Sequence, residues 1–426
     1  MAQFSKRERL AASVLSKFPR LKSFIKKSYV TLNYIIHRKS YRSLLLHIKK
    51  EINLIEPFEG NNETFFGYYD KSPENNNGLI IYNETSILTS KKPSANRPIW
   101  INILNTKNHS IVPVSESFSY NWQQGCRAQW ISDNMLIYNY FNDKTKSYEA
   151  AIYSVIHKQV IKTFDLPVQD SFKDDYYISI NYRRIMKLRS DYGYRNLPLP
   201  DDDEMQNIDS DGIWKVDFNS GLHTLIISLK DIVVLQPALN SDTSLHKINH
   251  VMISPNGEKF IFIHRWYHKG KRFDRLMLFH NNELKILAND EMVSHMCWID
   301  NFMLFGYLRF NGTAGFYFIN INTGNIISCD ELNALNNGDG HPSCYKDWIV
   351  IDSYPDKSRM QHLTLYNYKT KTIIPLLEVL QPLKYQGETR CDMHPRFSPD
   401  GKRIYFDTTY TGKRRLAFID VSSIIS

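Results

Sequence analysis

Four stretches of the chain follow one plan: NHVMISPNGEKFIFI (249–263), SHMCWIDNFMLFG (294–306), GHPSCYKDWIVIDS (340–353) and MHPRFSPDGKRIYFD (393–407). Each has a histidine at its second position, continues through an apolar or sulphur residue to a polar turn, and ends in a strand-like run. The histidines are His250, His295, His341 and His394, spaced 45, 46 and 53 residues apart. Two earlier stretches fit the frame without histidine. YYDKSPENNNGLIIY (68–82) has Tyr68 in that position, and CRAQWISDNMLIYN (126–139) has Arg127. A further unit belongs around 176–235, where GIWKVDFNSG (212–221) follows a polar insertion. About seven units of roughly 45–55 residues match the length of a four-stranded propeller blade. The repeat therefore predicts an all-β fold, a seven-bladed β-propeller, with six or eight blades as the alternatives. Closing the ring removes the sheet edges that would invite aggregation.

The net charge of +9 has to be located before it means anything. Residues 1–50 carry 13 Lys and Arg against one acidic residue, Glu8, whereas 51–426 carry 40 basic and 43 acidic residues. A near-neutral body argues against nucleic acid as the partner. The chain divides into a basic amphipathic helical arm, 1–50, and a propeller, 51–426. In the arm, Leu10, Val14, Phe18, Leu21, Phe24 and Ile25 recur at helical spacing among lysines and arginines, and Pro19 is expected to split the pattern into two helices. Such a segment can lie on an anionic membrane surface; docking on the body or a partner chain, and a disordered arm, are the alternatives. No apolar run is long enough to span a bilayer. Five scattered cysteines and no secretory apolar core lead to the expectation of a cytoplasmic protein with reduced thiols, peripheral on the inner face of the membrane.

In a propeller the inner strands line a central channel, so residues in register from successive blades converge on the axis. His295, His341, Cys391 and His394 offer nitrogen and sulphur ligands for a divalent metal ion, zinc or manganese. Asp392 and Asp339 are candidate supporting or additional ligands. Loops rich in Tyr, Arg, Gln and Trp suit sugar stacking and carboxylate binding. A P-loop, a dinucleotide glycine pattern and a G-x-S-x-G elbow are absent.

The segments GHPS…DWIVIDSYPD and MHPRFSPDGKRIYFDTT resemble oligogalacturonate lyases and, more loosely, the propeller ulvan lyases; the SPDG turn is shared with TolB-like propellers. The resemblance covers roughly residues 60–424 and leaves the arm unexplained. It implies that His250 acts as the base and that His295 and His394 hold a metal. Where the family has a Gln and a second His, this chain reads ETRCDMHPR, so Cys391 keeps a zinc site of the ulvan lyase type open beside manganese. The implied activity is β-elimination on an acidic, uronate-containing oligosaccharide or polysaccharide. Arg127 or Arg265 would stabilise developing charge, and Tyr69 or Tyr194 would protonate the leaving oxygen. The alternatives are a non-catalytic glycan-binding or scaffold propeller, and another glycan transformation in surface-polysaccharide assembly.

Overall fold

Short apolar runs such as LIIY (79–82), FIFI (260–263) and IVI (349–351) are too short for helices and carry no polar alternation, as strands buried on both faces require. The computed structural model describes residues 19–48, 51–235 and 244–425. In it these runs are second strands of antiparallel sheets, flanked on each side by a neighbouring sheet and buried except for half-buried Leu79. Seven sheets follow one another along the chain, blades 1 to 7, spanning 63–117, 129–164, 170–228, 245–288, 293–328, 342–380 and 396–420. The first strand of each blade is innermost, and first strands of neighbouring blades meet around the axis.

The ring closes through the N-terminal side of the chain. Asn53–Leu54 supplies the fourth strand of blade 7, with Asn53 opposite Phe418 and Leu54 opposite Ala417. Ser43–Leu45 adds a fifth strand to blade 6, Ser43 opposite Val379 and Leu45 opposite Leu377. This part of the arm, read from sequence as helical, is therefore sheet. The unpaired backbone at the outer edge of blade 6 offers it hydrogen bonds, and Leu45 and Ile48 pack on the core of blades 6 and 7. Among the described residues upstream lies one helix, α1 (Pro19–His37), with Pro19, whose missing N–H costs nothing in a first turn, as its first described residue. The expected helical stretch through Leu10, Val14 and Phe18 lies outside the described residues.

The repeated turns pack blade on blade. Gly257 of SPNG and Gly401 of SPDG have φ of +76° and +73°. A Cβ on Gly257 would fall 2.5 Å from the Phe172 ring of the preceding blade, and one on Gly401 would fall 2.1 Å from Tyr345. Each glycine thus serves a left-handed turn and an aromatic contact between blades at once.

Candidate active site

Polar residues at one register of the second strands organise the centre. Asn83, Asn139, Asp352 and Asp407 each end an apolar run (LIIYN, LIYN, IVID, IYFD), and each bonds the next blade at its axial segment, for Asp407 just after the strand Glu63–Phe65 and for the others in the entering loop. The Cys126 thiol donates to Asn83 Oδ1 at 3.4 Å and Val168 N to Asn139 Oδ1 at 2.6 Å. His394 N donates to Asp352 Oδ2 at 3.1 Å, and Gly67 N to Asp407 Oδ2 at 3.0 Å. Those loops then deliver Tyr68, Arg127 and His394 to the axis. Arg127, His250 and His394, in equivalent positions, all adopt left-handed backbone, with φ of +57°, +53° and +47°. The register strains three non-glycine residues in the same way, which such surroundings must over-determine.

The result is a closed aromatic ring. Ring centroids of His250 and His295 lie 5.4 Å apart, His295 and His341 3.9 Å, and His341 and His394 4.3 Å. Tyr68 completes the circle, 5.1 Å from His394 and 5.3 Å from His250. All five are at most 3% exposed.

Hydrogen bonding fixes which nitrogens face inward. His341 Nδ1–H donates to Asp352 at 2.9 Å, and His394 Nδ1–H donates to the Gly67 carbonyl at 2.8 Å. Their Nε2 atoms consequently carry lone pairs, and both are buried without a partner, as is Asp392 Oδ1. Donor atoms of these three residues lie within 4.8 Å of one another. Two imidazole nitrogens and a carboxylate oxygen, each held from behind, fit a divalent cation. Asp392 is held by Arg390, whose Nε donates to Oδ2 at 2.7 Å.

Burial keeps three of the four ring histidines neutral. It lowers His250 well below the usual histidine range, aided by His295 and Arg265, and lowers His295 to about 4, aided by His341. His394 is likewise lowered by burial and then by His341. His341 differs: burial opposes its charged form, but Asp352 outweighs this and raises it.

The residues singled out in the sequence divide between the ring and its walls. His250, His295, His341 and His394 stand together. Cys391 does not join the donor group: it is fully buried, Sγ lies 4.0 Å from the Asp392 carbonyl, and burial pushes the thiol up to about 12. His295 is in the ring but outside the donor group, its Nδ1 3.2 Å from Asp339 Oδ1. The Tyr69 hydroxyl donates to Met296 O at 2.9 Å and accepts from Met296 N at 3.1 Å, so it ties blade 1 to blade 5. Tyr194 stacks on Tyr182 at 4.3 Å and accepts from Asn139 Nδ2 at 2.9 Å, in the wall between blades 2 and 3. Arg127 makes a bidentate pair with buried Asp70, at 3.0 and 2.7 Å, below the face of Tyr68. Arg265 pairs with Asp274 inside blade 4.

Sequence reasoning missed Asp352, Arg390 and Tyr192. The repeat could have found Asp352, because Asn83, Asn139 and Asp407 share its register. Tyr192 sits 5.9 Å from both Tyr68 and His250, its hydroxyl buried without a partner. It belongs to a strap, residues 189–197, within the insertion between the second and third strands of blade 3. The strap crosses the ring: Ser190 Oγ donates to Glu388 at 2.5 Å, Arg195 pairs with Glu388, and Asp191 accepts from Arg390 at 2.6 Å. Asn196 Nδ2 reaches Ala95 O of blade 1 at 3.1 Å. An open cavity of about 450 Å³ lies at the opposite end of the inner strands, among the turns, and includes no histidine of the ring.

No family model and no curated protein matches the chain. Solved structures do. An oligogalacturonate lyase in complex with manganese is 13% identical with a TM-score of 0.59, over 92% of this chain and 100% of that one. An oligogalacturonate lyase from Vibrio parahaemolyticus is 14% identical with a TM-score of 0.57, over 90% and 99% of the two chains. At these identities the likeness is one of architecture: the chain is a seven-bladed β-propeller with the fold of the oligogalacturonate lyases.

Proposed function

We propose that the protein cleaves a uronate-containing oligosaccharide by β-elimination at the histidine ring beneath the strap. The observation that supports this most is chemical: a neutral, buried His250 faces a tyrosine with a free hydroxyl, beside inward donors of His341, Asp392 and His394 that no protein group satisfies. Elimination removes the proton on the carbon next to the uronate carboxylate and expels the glycosidic oxygen at the neighbouring carbon. With Nδ1–H directed to the Tyr68 oxygen, His250 keeps a lone pair on Nε2 to accept that proton. Tyr192, kept protonated chiefly by burial, can give its proton to the leaving oxygen. Arg390 orients Asp392, and Arg127, already neutralised by Asp70, supports Tyr68 rather than the substrate. A divalent ion held by His341, Asp392 and His394 would supply positive charge against the carboxylate and make the neighbouring C–H more acidic. In this reading Cys391, Tyr69 and Tyr194 are structural.

The test is an absorbance screen of galacturonate-, glucuronate- and iduronate-containing oligosaccharides in the presence of manganese or zinc. Elimination leaves a 4,5-unsaturated uronate that absorbs in the near ultraviolet. An absorbance rise with one of these substrates supports the reading; no rise with any of them overturns it in favour of a glycan-binding propeller.

The arm adds a location. Ile25, Leu32, Ile35 and Ile36 of α1 are exposed, three of them by more than half, and α1 contains no acidic residue. We infer that α1 lies on an anionic lipid surface on the cytoplasmic side, with Lys26, Lys27, Arg38 and Lys39 adding attraction. None of the helices among the described residues is long and apolar enough to cross a membrane. Flotation with phosphatidylglycerol vesicles at low salt should carry the full chain, and Leu32→Asp with Ile36→Asp should release it. A full chain that stays in solution at low salt contradicts the inference.

A further inference from the structure

One face of blade 4 carries buried polar groups that elimination, as described above, leaves without a role. Lys247 and Asn249 are two apart on the inner strand Leu245–Ile253 and so share a face. Across the ladder Lys247 stands opposite Arg265, and Arg265 opposite Asp274. Arg265 uses Nε on Asp274 and reaches the Val293 carbonyl of blade 5 at 3.4 Å through Nη2. The other face of the blade is occupied differently. There Arg275 donates to His264 at 3.0 Å, and His264 and His246 bond each other at 3.0 Å.

On the Lys247 face hydrogen bonding is incomplete. Lys247 is fully buried and its Nζ has no partner; Asn249, 4% exposed, has none on either side-chain atom; Arg265 Nη1 has none. A buried ammonium or amide left unpaired costs several kcal/mol at worst, and natural interiors rarely leave several together. The unpartnered acceptors on this face are Asn249 Oδ1 and Asp274 Oδ2, the latter 3.3 Å from Arg272; the N–H groups of Lys247, Asn249 and Arg265 outnumber them, so the absent partner is an acceptor. The surrounding charge agrees: Lys247 lies in the field of Arg265 and of Arg189 from the strap, only partly offset by Asp191 and Asp274. The group adjoins the ring: His250 follows Asn249 on the same strand, and Arg189 lies 4.2 Å from the ring centroid of Tyr192, which itself packs against His250.

We propose that Lys247, Asn249 and Arg265 form a subsite for a sugar carboxylate. The proposal rests on the reading of the histidine ring as a site for acidic oligosaccharides and says which residues select the acid. It gives blade 4 two functions. His250 at the strand's bulge meets the carbon to be deprotonated, and the Lys247 face anchors the negative charge of that unit or its neighbour. Because burial followed by Arg265 and Arg189 pushes the Lys247 ammonium well below its ordinary range, an entering carboxylate should restore the ammonium. Binding would then take up a proton from the buffer.

The experiment is calorimetry of the full chain with D-galacturonate and D-glucuronate, which have no glycosidic bond to eliminate, against D-galactose and galactose 6-sulfate. The expected result is binding of a uronate but of neither control, with net proton uptake read from buffers of different ionisation enthalpy. Lys247→Met should weaken binding at least tenfold and abolish the uptake, and Lys247→Arg should restore part of the affinity. Asn249→Asp, which sets a carboxylate in the subsite without a cavity, should weaken binding too and covers the case in which Lys247→Met does not fold. Uronate affinity unchanged in Lys247→Met, no binding of either uronate, or preference for the sulfated sugar would overturn the subsite. The two readings fail separately. Lys247-dependent binding without unsaturated product removes elimination and keeps the subsite, whereas elimination with an unchanged KM in Lys247→Met does the reverse.

Discussion

Blades 1 to 3 and blades 4 to 7 present the same register to the axis and use it in opposite ways. On the first arc the groups that reach the axis spend most of their hydrogen bonds within the protein, and the exception at the ring is the Tyr192 hydroxyl of the strap. Arg127 is locked to Asp70 and to the Gln169 carbonyl, and both atoms of the Met296 backbone occupy the Tyr69 hydroxyl. On the second arc His341, Asp392 and His394 are each held from behind and unsatisfied in front. Burial alone does not separate the two, since both arcs are almost completely enclosed. What separates them is whether hydrogen-bonding capacity is used within the protein. A polar group satisfied on all sides staples blades together; one satisfied on a single side is available to a ligand.

The contrast can be broken from either arc. The largest effect is expected on the second: His250→Ala should lower turnover by roughly 10²–10⁴-fold, the range for loss of a general base, with the melting temperature little changed. Loss of folding instead would return His250 to the structural class. On the first arc the opposite is expected. Arg127→Met leaves the Asp70 carboxylate buried and unpaired and should destabilise the fold by roughly 3–5 kcal/mol in denaturant titration. Stability within experimental error of wild type would place Arg127 in the chemistry.

Acid should act through the buried histidines. In the unfolded chain each titrates near its ordinary value of about 6.5, whereas burial, aided by neighbouring charge, lowers His295 and His246 to about 4. Below about 6.5 the unfolded state binds more protons than the folded one, so stability falls as pH drops through this window and levels off near pH 4. His295 alone should account for up to about 3 kcal/mol at roughly 1.4 kcal/mol per unit. Thermal melts from pH 7 to pH 4 measure this, and a melting temperature that rises on acidification contradicts the neutral histidines. The smallest effect concerns the strap. Glu388 is partly exposed, so Glu388→Ala should loosen residues 189–197 by about 1 kcal/mol or less. Hydrogen exchange should show protection lost there and retained in the inner strands. Equal protection in both proteins would mean that the strap does not depend on this anchor.

How far the sequence discloses this depends on the distance over which each feature is encoded. The blades are local and repeated, so the fold and the convergence of four histidines are legible from spacing. Asp352 is half legible: its register is visible, but Asn83 and Asn139 fill it as staples, and nothing in one sequence marks Asp352 as the residue that orients a ligand donor. Cys391 misleads because C-x-x-H spacing resembles a ligand pair. The left-handed backbone at His394 instead turns the histidine inward, while the Cys391 carbonyl is taken by Gln361 and Gln381. The strap is illegible because Glu388 lies 198 residues from Ser190. Leu44–Leu46 read as helix because the edge of blade 6 that recruits Ser43–Leu45 is more than 300 residues away.

The central claim is that the second arc keeps an open donor set, and metal titration of the purified chain tests it most directly. After chelation and dialysis, calorimetry with manganese or zinc should show one divalent ion per chain, lost in His394→Ala and retained in Arg127→Met and Cys391→Ser. A chain that takes up no ion, or one that binds equally well after His394→Ala, would show that these atoms are not a metal centre.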